Sequence, residues 1–421
     1  MNFARYCLYF WGASLPFISF SREKAADVSS LSDRLAAPEL FGLLLVLLSL
    51  PAGRLLRPNS FYPSVSMGFL LFMAGVSTML AALYIPPGQS LVTYTSQFLI
   101  FGFLVALSMR ACVLLRGERE ILIFASCIAL GGFIESLIVG HDLAARLVGA
   151  SMWFRDSMDL RARGTFRASG MLAQYGFVVG GVLFALASWP KGIGLRTRLW
   201  WTLTSVSLLM YPIFTTRRSG IAALFVLMTV WIVLNQMHGL QGLKKSVPVL
   251  VPVSLILFGY LSQPEYRDFL FGRVTSAHQK VSSGHSFQSD QIDDARQSAS
   301  KRPFFGVGWG LSTGASRTEN EMHSTYLAVI VDAGLAGFIA FLALLWSLFR
   351  ASWRLLKMTK QTPYLEFSIR MLALLAAQTV FWLHNRGLRD RGFFLYLAVF
   401  AACAQCVRTS LKNDPAPAQS P

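Results

Sequence analysis

Residues 303–338, PFFGVGWGLSTGASRTENEMHSTYLAVIVDAGLAGF, hold the features on which the interpretation of this chain depends. They open with a glycine-rich turn, continue as a polar segment ending at His323, and become apolar at Thr325. The apolar run extends to about residue 349, which exceeds the ~20 residues that span a bilayer. His323 therefore stands where a loop meets a predicted membrane helix, and we expect it in the first turn or cap of that helix. It is either an interfacial histidine or a catalytic group at the membrane surface.

The composition indicates a membrane protein. Of 421 residues, 54% are hydrophobic and only 14% are charged, which is unlike a soluble globule. The five cysteines lie in or beside apolar runs, and an odd number so placed excludes a disulfide framework. Cys403 and Cys406 form a C-x-x-C in the last apolar run, where packing is the favoured interpretation. The net charge of +17 is explained by basic cytoplasmic loops and an anionic substrate rather than by nucleic acid.

Apolar runs predict an all-α, polytopic protein with about twelve transmembrane helices in a single multi-pass domain, residues 1–421. A long loop, 263–322, precedes the tenth span, and an interfacial segment, 139–169, precedes the sixth. The predicted spans are 3–20, 40–51, 62–85, 91–115, 121–138, 170–189, 199–214, 220–234, 247–261, 325–349, 367–383 and 393–407.

Lysines and arginines in short loops set the predicted orientation. With the N-terminus inside, every even-numbered loop is basic. The opposite face also carries arginines, two sets of them in short turns, which suggests that they have a function there. The alternative is that the span count is off by one and the two sides are exchanged. The arginines in question are Arg146, Arg155, Arg161, Arg163, Arg167, Arg217, Arg218, Arg267, Arg273, Arg296, Arg302, Arg317, Arg386, Arg389 and Arg391.

Two shorter helices are predicted outside the spans. In residues 142–158 apolar side chains recur near helical spacing with arginines among them, which suits an interfacial helix or a lid packed on the protein. Residues 290–301 are polar and predict a loop helix with Ser289 or Asp290 as N-cap, ended by Pro303.

Several reaction classes lack their motifs. The chain has no HExxH, no Asp-x-Asp and no phosphate-binding loop, and the glycines from Gly306 to Gly310 lack the strand–helix context of a nucleotide site, so a flexible turn is predicted. We expect no metal and no cofactor. Two polar groups have the residue types of a metal site, but their spacing is not diagnostic and loop polarity is favoured. They are His278, His285, Asp290, Asp293 and Asp294, and Glu319, Glu321 and His323.

A histidine at a helix start, combined with several arginines on one face, suits one kind of chemistry. A glycan linked to a lipid through pyrophosphate already has a good leaving group. A neutral histidine can deprotonate an acceptor hydroxyl. Arginine forks can stabilise the departing pyrophosphate without a metal ion.

Three places in the chain, in this order, carry a resemblance to a known family. They are RARGTF at 161–166, TRRSG at 216–220, and the region from Arg296 through RPFFGVG at 302–308 to HSTYL and GLAG at 323–337. Together they resemble the O-antigen ligase and polymerase superfamily from Arg161 onward. The chain departs from the family at Ser324, where the family often has Asn, and at residues 167–170, where it often has Pro-Asn.

The resemblance implies a bacterial membrane glycosyltransferase of the inner (cytoplasmic) membrane with a periplasmic active site. It would move a glycan from an undecaprenyl-pyrophosphate donor to a hydroxyl of a lipid A core or a growing polysaccharide. His323 would be catalytic. Arg218 would bind pyrophosphate, with Arg161 or Arg163 as a second contact and Arg217 less important. Membrane lipids and polysaccharide chain-length or export proteins are further implied partners. Nucleic acid is not an implied partner.

Two other classes remain open. A transporter or flippase of lipid-linked or anionic solutes would use the arginines to line a cavity, although such proteins commonly show paired repeats and helices broken at mid-membrane depth. A non-catalytic scaffold would not need arginines in short outer turns. Ligase and polymerase differ only in the acceptor, and the sequence does not separate them.

The orientation can be tested directly. We expect both termini in the cytoplasm and the loop 263–322 outside, because the even-numbered loops are basic. A cysteine placed at Ser283 in a cysteine-free background should react with a membrane-impermeant reagent added from outside. Labelling from the cytoplasmic side alone would contradict the topology.

Overall fold

The computed structural model describes residues 2–17, 37–49, 59–83, 91–147, 164–166, 169–215, 217–239, 262, 287–311, 324–385 and 387–413. Within these ranges the regular structure is helical, without a strand. The α-helices, in chain order, are α1 (Asn2–Ser14), α2 (Ala37–Ser49), α3 (Ser64–Ala82), α4 (Leu91–Leu114), α5 (Glu118–Leu147), α6 (Ser169–Leu186), α7 (Leu195–Leu209), α8 (Tyr211–Phe214), α9 (Arg218–Met237), α10 (Phe287–Lys301), α11 (Thr325–Thr359), α12 (Leu365–Phe381) and α13 (Arg391–Asn413).

Seven helices in these ranges are long and apolar enough to cross a bilayer: α3, α4, α5, α6, α9, α11 and α13. The chain is therefore an all-helical, multi-pass membrane protein. Helices α1, α2, α7 and α12 coincide with predicted spans, but their 13, 13, 15 and 17 residues fall short of ~20. The count of twelve spans stays a prediction, because the run 247–261 lies outside the described residues.

The centre of the bundle is formed by α6, α12 and α13. Every side chain of α6 from Leu172 to Leu186 is buried. The same is true of α13 from Gly392 to Ala404. Helix α9 instead buries a single stripe that includes Ala223, Leu227 and Trp231 and packs against α12. The rest of its surface is left for lipid, as is typical of a peripheral membrane helix.

Small residues let α6 and α7 approach closely. A Cβ atom on Gly176 would lie 2.5 Å from the carbonyl oxygen of Leu208, so only glycine fits there. One turn further, the Ser205 hydroxyl donates to the carbonyl oxygen of Gly180 at 2.8 Å. Glycine four residues apart and an interhelical hydroxyl bond are typical of helix association in membranes.

Helix α11 is broken at Gly334. The residue has φ 67° and ψ −166°, and it is the tenth of the 35 residues of an otherwise continuous helix. This region of backbone space is accessible essentially to glycine alone. Nine residues of helix separate Thr325 from Gly334, so the break lies about 14 Å along the helix, roughly half-way across a bilayer.

The carbonyl groups freed at the break bond to the glycine-rich turn. The N–H of Val307 donates to the carbonyl oxygen of Val331 at 2.9 Å, and that of Gly308 donates to Asp332 at 3.0 Å. These oxygens would otherwise accept from residues four positions later in an unbroken helix. The turn therefore replaces the missing helical donors.

The freed N–H groups on the other side of the break bond to the same turn. Leu335 N donates to the carbonyl oxygen of Pro303 at 2.8 Å, and Ala336 N donates to that of Phe304 at 3.2 Å. Each unsatisfied backbone group in hydrocarbon would cost several kcal/mol. Non-helical backbone at this depth is therefore stable here because it is paired within the protein.

Side chains hold the turn in place as well. Trp309 is buried, with its ring centroid 4.6 Å from that of Phe101. The backbone N–H of Trp309 donates to the Thr78 hydroxyl oxygen at 3.3 Å, and the Ser77 hydroxyl donates to the carbonyl oxygen of Asp332. The prediction of a flexible turn is therefore wrong, because the turn is fixed to α3, α4 and the break in α11.

The predicted loop helix is present as α10, and it begins at Phe287 rather than near residue 290. Ser289 and Asp290 lie inside the helix, so neither is its N-cap. Ala295 of α10 packs against Ala328 and Val331 of α11. The polar segment before the glycine-rich turn therefore packs against the first half of α11.

The interfacial segment predicted at 142–158 begins within a longer helix. Helix α5 is continuous from Glu118 to Leu147. The end of the fifth span that we expected at residue 138 is therefore not observed, and the start of the segment continues the span. Residues 148–158 lie outside the described part of the chain, so their interfacial role stays a prediction.

Replacing Gly334 tests the break. Gly334→Ala should lower the free energy of unfolding by at least about 1–3 kcal/mol, the cost of this backbone region. The added Cβ would also lie 2.4 Å from the Phe304 carbonyl carbon. Thermal unfolding in detergent measures the effect. Gly68→Ala in α3, where a Cβ meets nothing within 4 Å, is the control and should be neutral or slightly stabilising. Equal unfolding temperatures for Gly334→Ala and wild type would contradict this account.

Candidate functional site

Thr325, the first residue of α11, connects that helix to the link between α12 and α13. Its N–H donates to the carbonyl oxygen of Trp382 at 3.0 Å. Its hydroxyl donates to the carbonyl oxygen of Asn385 and accepts from the N–H of Gly387 at 2.7 Å. All three bonds are made by a residue that is 2% exposed, one through its backbone and two through its hydroxyl. The start of α11 is therefore held in a defined position.

Asn385 extends the connection to α9. Its side-chain amide donates to the Ser219 hydroxyl oxygen at 2.7 Å and to the carbonyl oxygen of Phe381 at 3.2 Å. Ser219 lies in the first turn of α9, directly after Arg218. The starts of α9 and α11 thus meet at the α12–α13 link, and we call this end of the bundle the site end.

The two arginines at the start of α9 have different surroundings. Arg217 is half-buried, and a Cβ atom on Gly170 would lie 2.6 Å from its Nη2 atom. Its guanidinium therefore packs on the start of α6. Arg218 is exposed in the first helical turn. Of the pair, Arg218 is the more accessible to a ligand, while Arg217 contacts protein.

The other predicted arginines, Arg161 and Arg163, lie outside the described residues, but the turn that follows them is described. Thr165 in this turn is fully buried, and its N–H donates to Oε1 of Glu135 at 2.9 Å. The ring of Phe166 packs 5.0 Å from that of Tyr175 in α6. The end of this first motif is therefore anchored to α5 and α6, a few residues before the glycine that Arg217 contacts.

His323 itself lies outside the described residues, and the structure assigns the cap of α11 to its neighbour. Ser324 is the N-cap, and its hydroxyl oxygen accepts from the N–H of Leu327 at 3.4 Å. Serine is among the preferred N-cap residues. The expectation that His323 lies in the first turn or cap is wrong by one position, since the cap is Ser324.

Metal ligands do not cluster in the part of the chain that is described. No group of three or more His, Cys, Asp or Glu side chains there is arranged to hold a metal ion. Glu319 and Glu321, the carboxylates nearest His323 in the sequence, lie outside that part. The expected independence from metal ions stays a prediction.

The sequence analysis did not single out three polar residues at the site end. His384, Asn385 and Asp390 follow α12 directly, in the run HNRGLRD. An abrupt change from a polar segment to an apolar run drew attention to His323, and the reverse change after Leu383 would have drawn attention to these three residues. The signal was missed because only the arginines of this short turn were considered.

Two of these groups have shifted pKa values. Burial raises the pKa of Asp390 to about 6, partly offset by a hydrogen bond from the N–H of Gly392 at 3.1 Å. His384 is exposed, but its surroundings remove part of its hydration, which lowers the pKa of the imidazole. The imidazole of His384 is therefore mainly neutral at pH 7.

One arginine at the link between α12 and α13 has a structural partner. Arg391, at the start of α13, forms an ion pair with Glu39 in the first turn of α2. Both side chains are about one-fifth exposed. The pair joins α2 to the site end, so Arg391 has a role in packing that does not require a substrate.

The fold and the site define a class: an all-helical, multi-pass membrane protein with a polar site end formed by the starts of several helices. No family model matches this chain, and a comparison with curated proteins gives no significant match. The class therefore rests on the helices and contacts described above.

Thr325 offers a matched test of the site end. Thr325→Val keeps the shape of the side chain but leaves the Asn385 carbonyl and the Gly387 N–H without the hydroxyl. We expect it to lower the free energy of unfolding by about 1–3 kcal/mol. Thr325→Ser keeps the hydroxyl and should lose less. Unfolding in detergent measures both, and equal losses from the two variants would exclude the hydroxyl as the source of the stability.

Proposed function

We propose that the chain is a membrane glycosyltransferase of the O-antigen ligase type, acting at the periplasmic face of the bacterial inner membrane. One observation carries the proposal. The start of α9, at Arg218, and the start of α11, two residues after His323, are joined through Asn385. Two helix starts more than a hundred positions apart in the chain, each beside a residue proposed for one reaction, therefore meet at a single polar link.

In the proposed reaction, an acceptor hydroxyl attacks the anomeric carbon of a glycan carried on undecaprenyl pyrophosphate. The new C–O bond forms as the bond to the pyrophosphate oxygen breaks. His323 accepts the hydroxyl proton, which requires a neutral imidazole. Arg218, with Arg161 or Arg163, stabilises the charge on the departing pyrophosphate. Arg217, which packs on Gly170, supports this arrangement from the protein side.

The proposed acceptor is a lipid A core or the growing polysaccharide. Both present hydroxyl groups outside the membrane, so both suit a site at the ends of helices. Chain-length and export proteins are proposed partners only if the product is a polymer.

A transporter or flippase of lipid-linked or anionic solutes is the second candidate. The break at Gly334, about half-way along a membrane-spanning length of α11, favours it, because transporters commonly bind solutes at broken helices. At this break, however, the freed backbone groups that would coordinate a solute are bonded to the glycine-rich turn. We therefore prefer the transferase.

His323→Gln tests the role of the histidine. The purified variant should fold and bind lipid-linked donor but lose at least about a hundredfold in transfer rate, the low end of a general-base contribution. The assay uses undecaprenyl-pyrophosphate glycan and acceptor, with a chelator present. His238→Gln, at the opposite end of α9, is the control and should transfer normally. Normal transfer by His323→Gln would exclude the general-base role, and donor translocation without any transfer by wild type would favour the flippase.

Arg218→Lys tests pyrophosphate recognition. Lysine keeps the charge but loses the bidentate fork, so transfer should fall about tenfold or more while the protein level stays normal. Arg196→Lys, an exposed arginine at the other end of the bundle, is the control. Near-normal transfer by Arg218→Lys would remove this residue from the proposed site.

A further inference from the structure

A carboxyl group is buried inside helix α5. Glu135 is 0% exposed and lies within a span. Both of its oxygens contact one residue: Oε1 accepts from the N–H of Thr165 at 2.9 Å, and Oε2 lies 2.7 Å from the Thr165 hydroxyl oxygen. Ionisable residues inside membrane helices are costly and usually have a specific partner and role.

The hydrogen bonds of Thr165 indicate the protonation state of the Glu135 carboxyl. The Thr165 hydroxyl oxygen also lies 2.6 Å from the carbonyl oxygen of Pro16, at the end of α1. A hydroxyl has one hydrogen, and a carbonyl oxygen has none to give. The hydroxyl therefore donates to Pro16, and the contact with Oε2 requires a second hydrogen. The carboxyl of Glu135 supplies it when it is protonated.

The surroundings of Glu135 agree with a neutral group. Among the residues that the structure describes, the titratable groups that interact with it electrostatically are Asp142 on the same helix and the phenols of Tyr175 and Tyr211. None of these is a cation. An ionised carboxylate buried without a cation costs far more free energy than a hydrogen-bonded neutral acid.

The contact also requires the glycine of the first motif. Gly164 has φ 56°, and a Cβ atom there would lie 2.0 Å from Oε1 of Glu135. The backbone can approach the carboxyl this closely only because the side chain is absent. Gly164 follows Arg163 directly, so the carboxyl holds the chain one residue beyond a proposed pyrophosphate ligand.

We propose that Glu135 is a positioning residue, which as a neutral carboxylic acid fixes the turn 164–166 and thereby the point in the chain that directly follows Arg161 and Arg163. The role of the two arginines rests on the proposed function. The protonation and the anchoring of the turn do not. Glu135 is thus a hydrogen-bond donor and acceptor in this site, and not a base.

Glu135→Gln is the decisive variant, because glutamine reproduces the neutral acid. Its amide can donate to the Thr165 hydroxyl oxygen while its oxygen accepts from the Thr165 N–H. We expect transfer within about twofold of wild type. Glu135→Leu removes both contacts and should reduce transfer about tenfold or more. Loss of transfer by a folded Glu135→Gln protein would overturn the proposal, since it would mean that the carboxyl acts as a charge or a proton carrier.

A second pair of variants keeps the test valid if Glu135→Leu fails to fold. Thr165→Ser keeps the hydroxyl between Glu135 and Pro16, whereas Thr165→Val removes it. In each variant, Ala162 is also replaced by cysteine. The rate at which this cysteine reacts with an impermeant thiol reagent reports the position of residues 161–163. The rate should match the Ala162→Cys parent for Thr165→Ser and Glu135→Gln and change for Thr165→Val. A rate unchanged by Thr165→Val would overturn the positioning role.

Infrared spectroscopy measures the protonation without any transfer assay. The difference spectrum of wild type minus Glu135→Gln at pH 7 should contain the carbonyl band of a carboxylic acid. A carboxylate band in its place would overturn the neutral state. If wild type shows the acid band and the cysteine result but transfers no glycan, the proposed function fails and the role of Glu135 stands.

Discussion

The hydrogen bonds between the break in α11 and the turn at 303–308 are the constraint on which much of the fold depends. A helix interrupted at Gly334 leaves carbonyl and N–H groups that hydrocarbon cannot satisfy. The turn supplies partners on both sides of the break, through residues such as Val307 and Pro303. Because the turn bonds to the break, α10, which precedes the turn, packs against the first half of α11, and Trp309 is buried against Phe101. The loop that leads to His323 is thus fastened at its beginning.

The second organising feature is the polar link after α12. Thr325 and Asn385 together bring the starts of α9 and α11 to one place, using bonds that are buried from solvent. A buried hydrogen-bond network is costly when incomplete, so it specifies one arrangement of the helices it joins. The ion pair of Arg391 with Glu39 adds α2 to the same end. Residues that carry charge or hydrogen-bonding capacity are therefore concentrated where helices begin.

Much of this could be predicted locally, and the misses have physical causes. The apolar runs located most helices, and the start of α11 at Thr325 was predicted correctly because a polar segment changes there to an apolar one. The cap was misplaced by one residue, since hydropathy does not show that the Ser324 hydroxyl accepts the free N–H of Leu327. The turn at Gly306 was interpreted as flexible because its glycines lack the strand–helix context of a nucleotide site. The partners that bond it to the break, such as Val331 and Asp332, lie more than twenty residues further along the chain.

The sequence by itself determined that this is a helical, multi-pass membrane protein, because a bilayer admits only long apolar segments whose backbone bonds are satisfied internally. It also placed arginines beside helix starts, where the proposed chemistry needs them. Only the tertiary structure decided which helix starts meet, that Arg217 packs on Gly170 while Arg218 stays exposed, and that Glu135 holds Thr165. Such contacts join residues far apart in the chain, and they depend on angles and distances between packed helices. Local composition and periodicity do not determine those angles and distances.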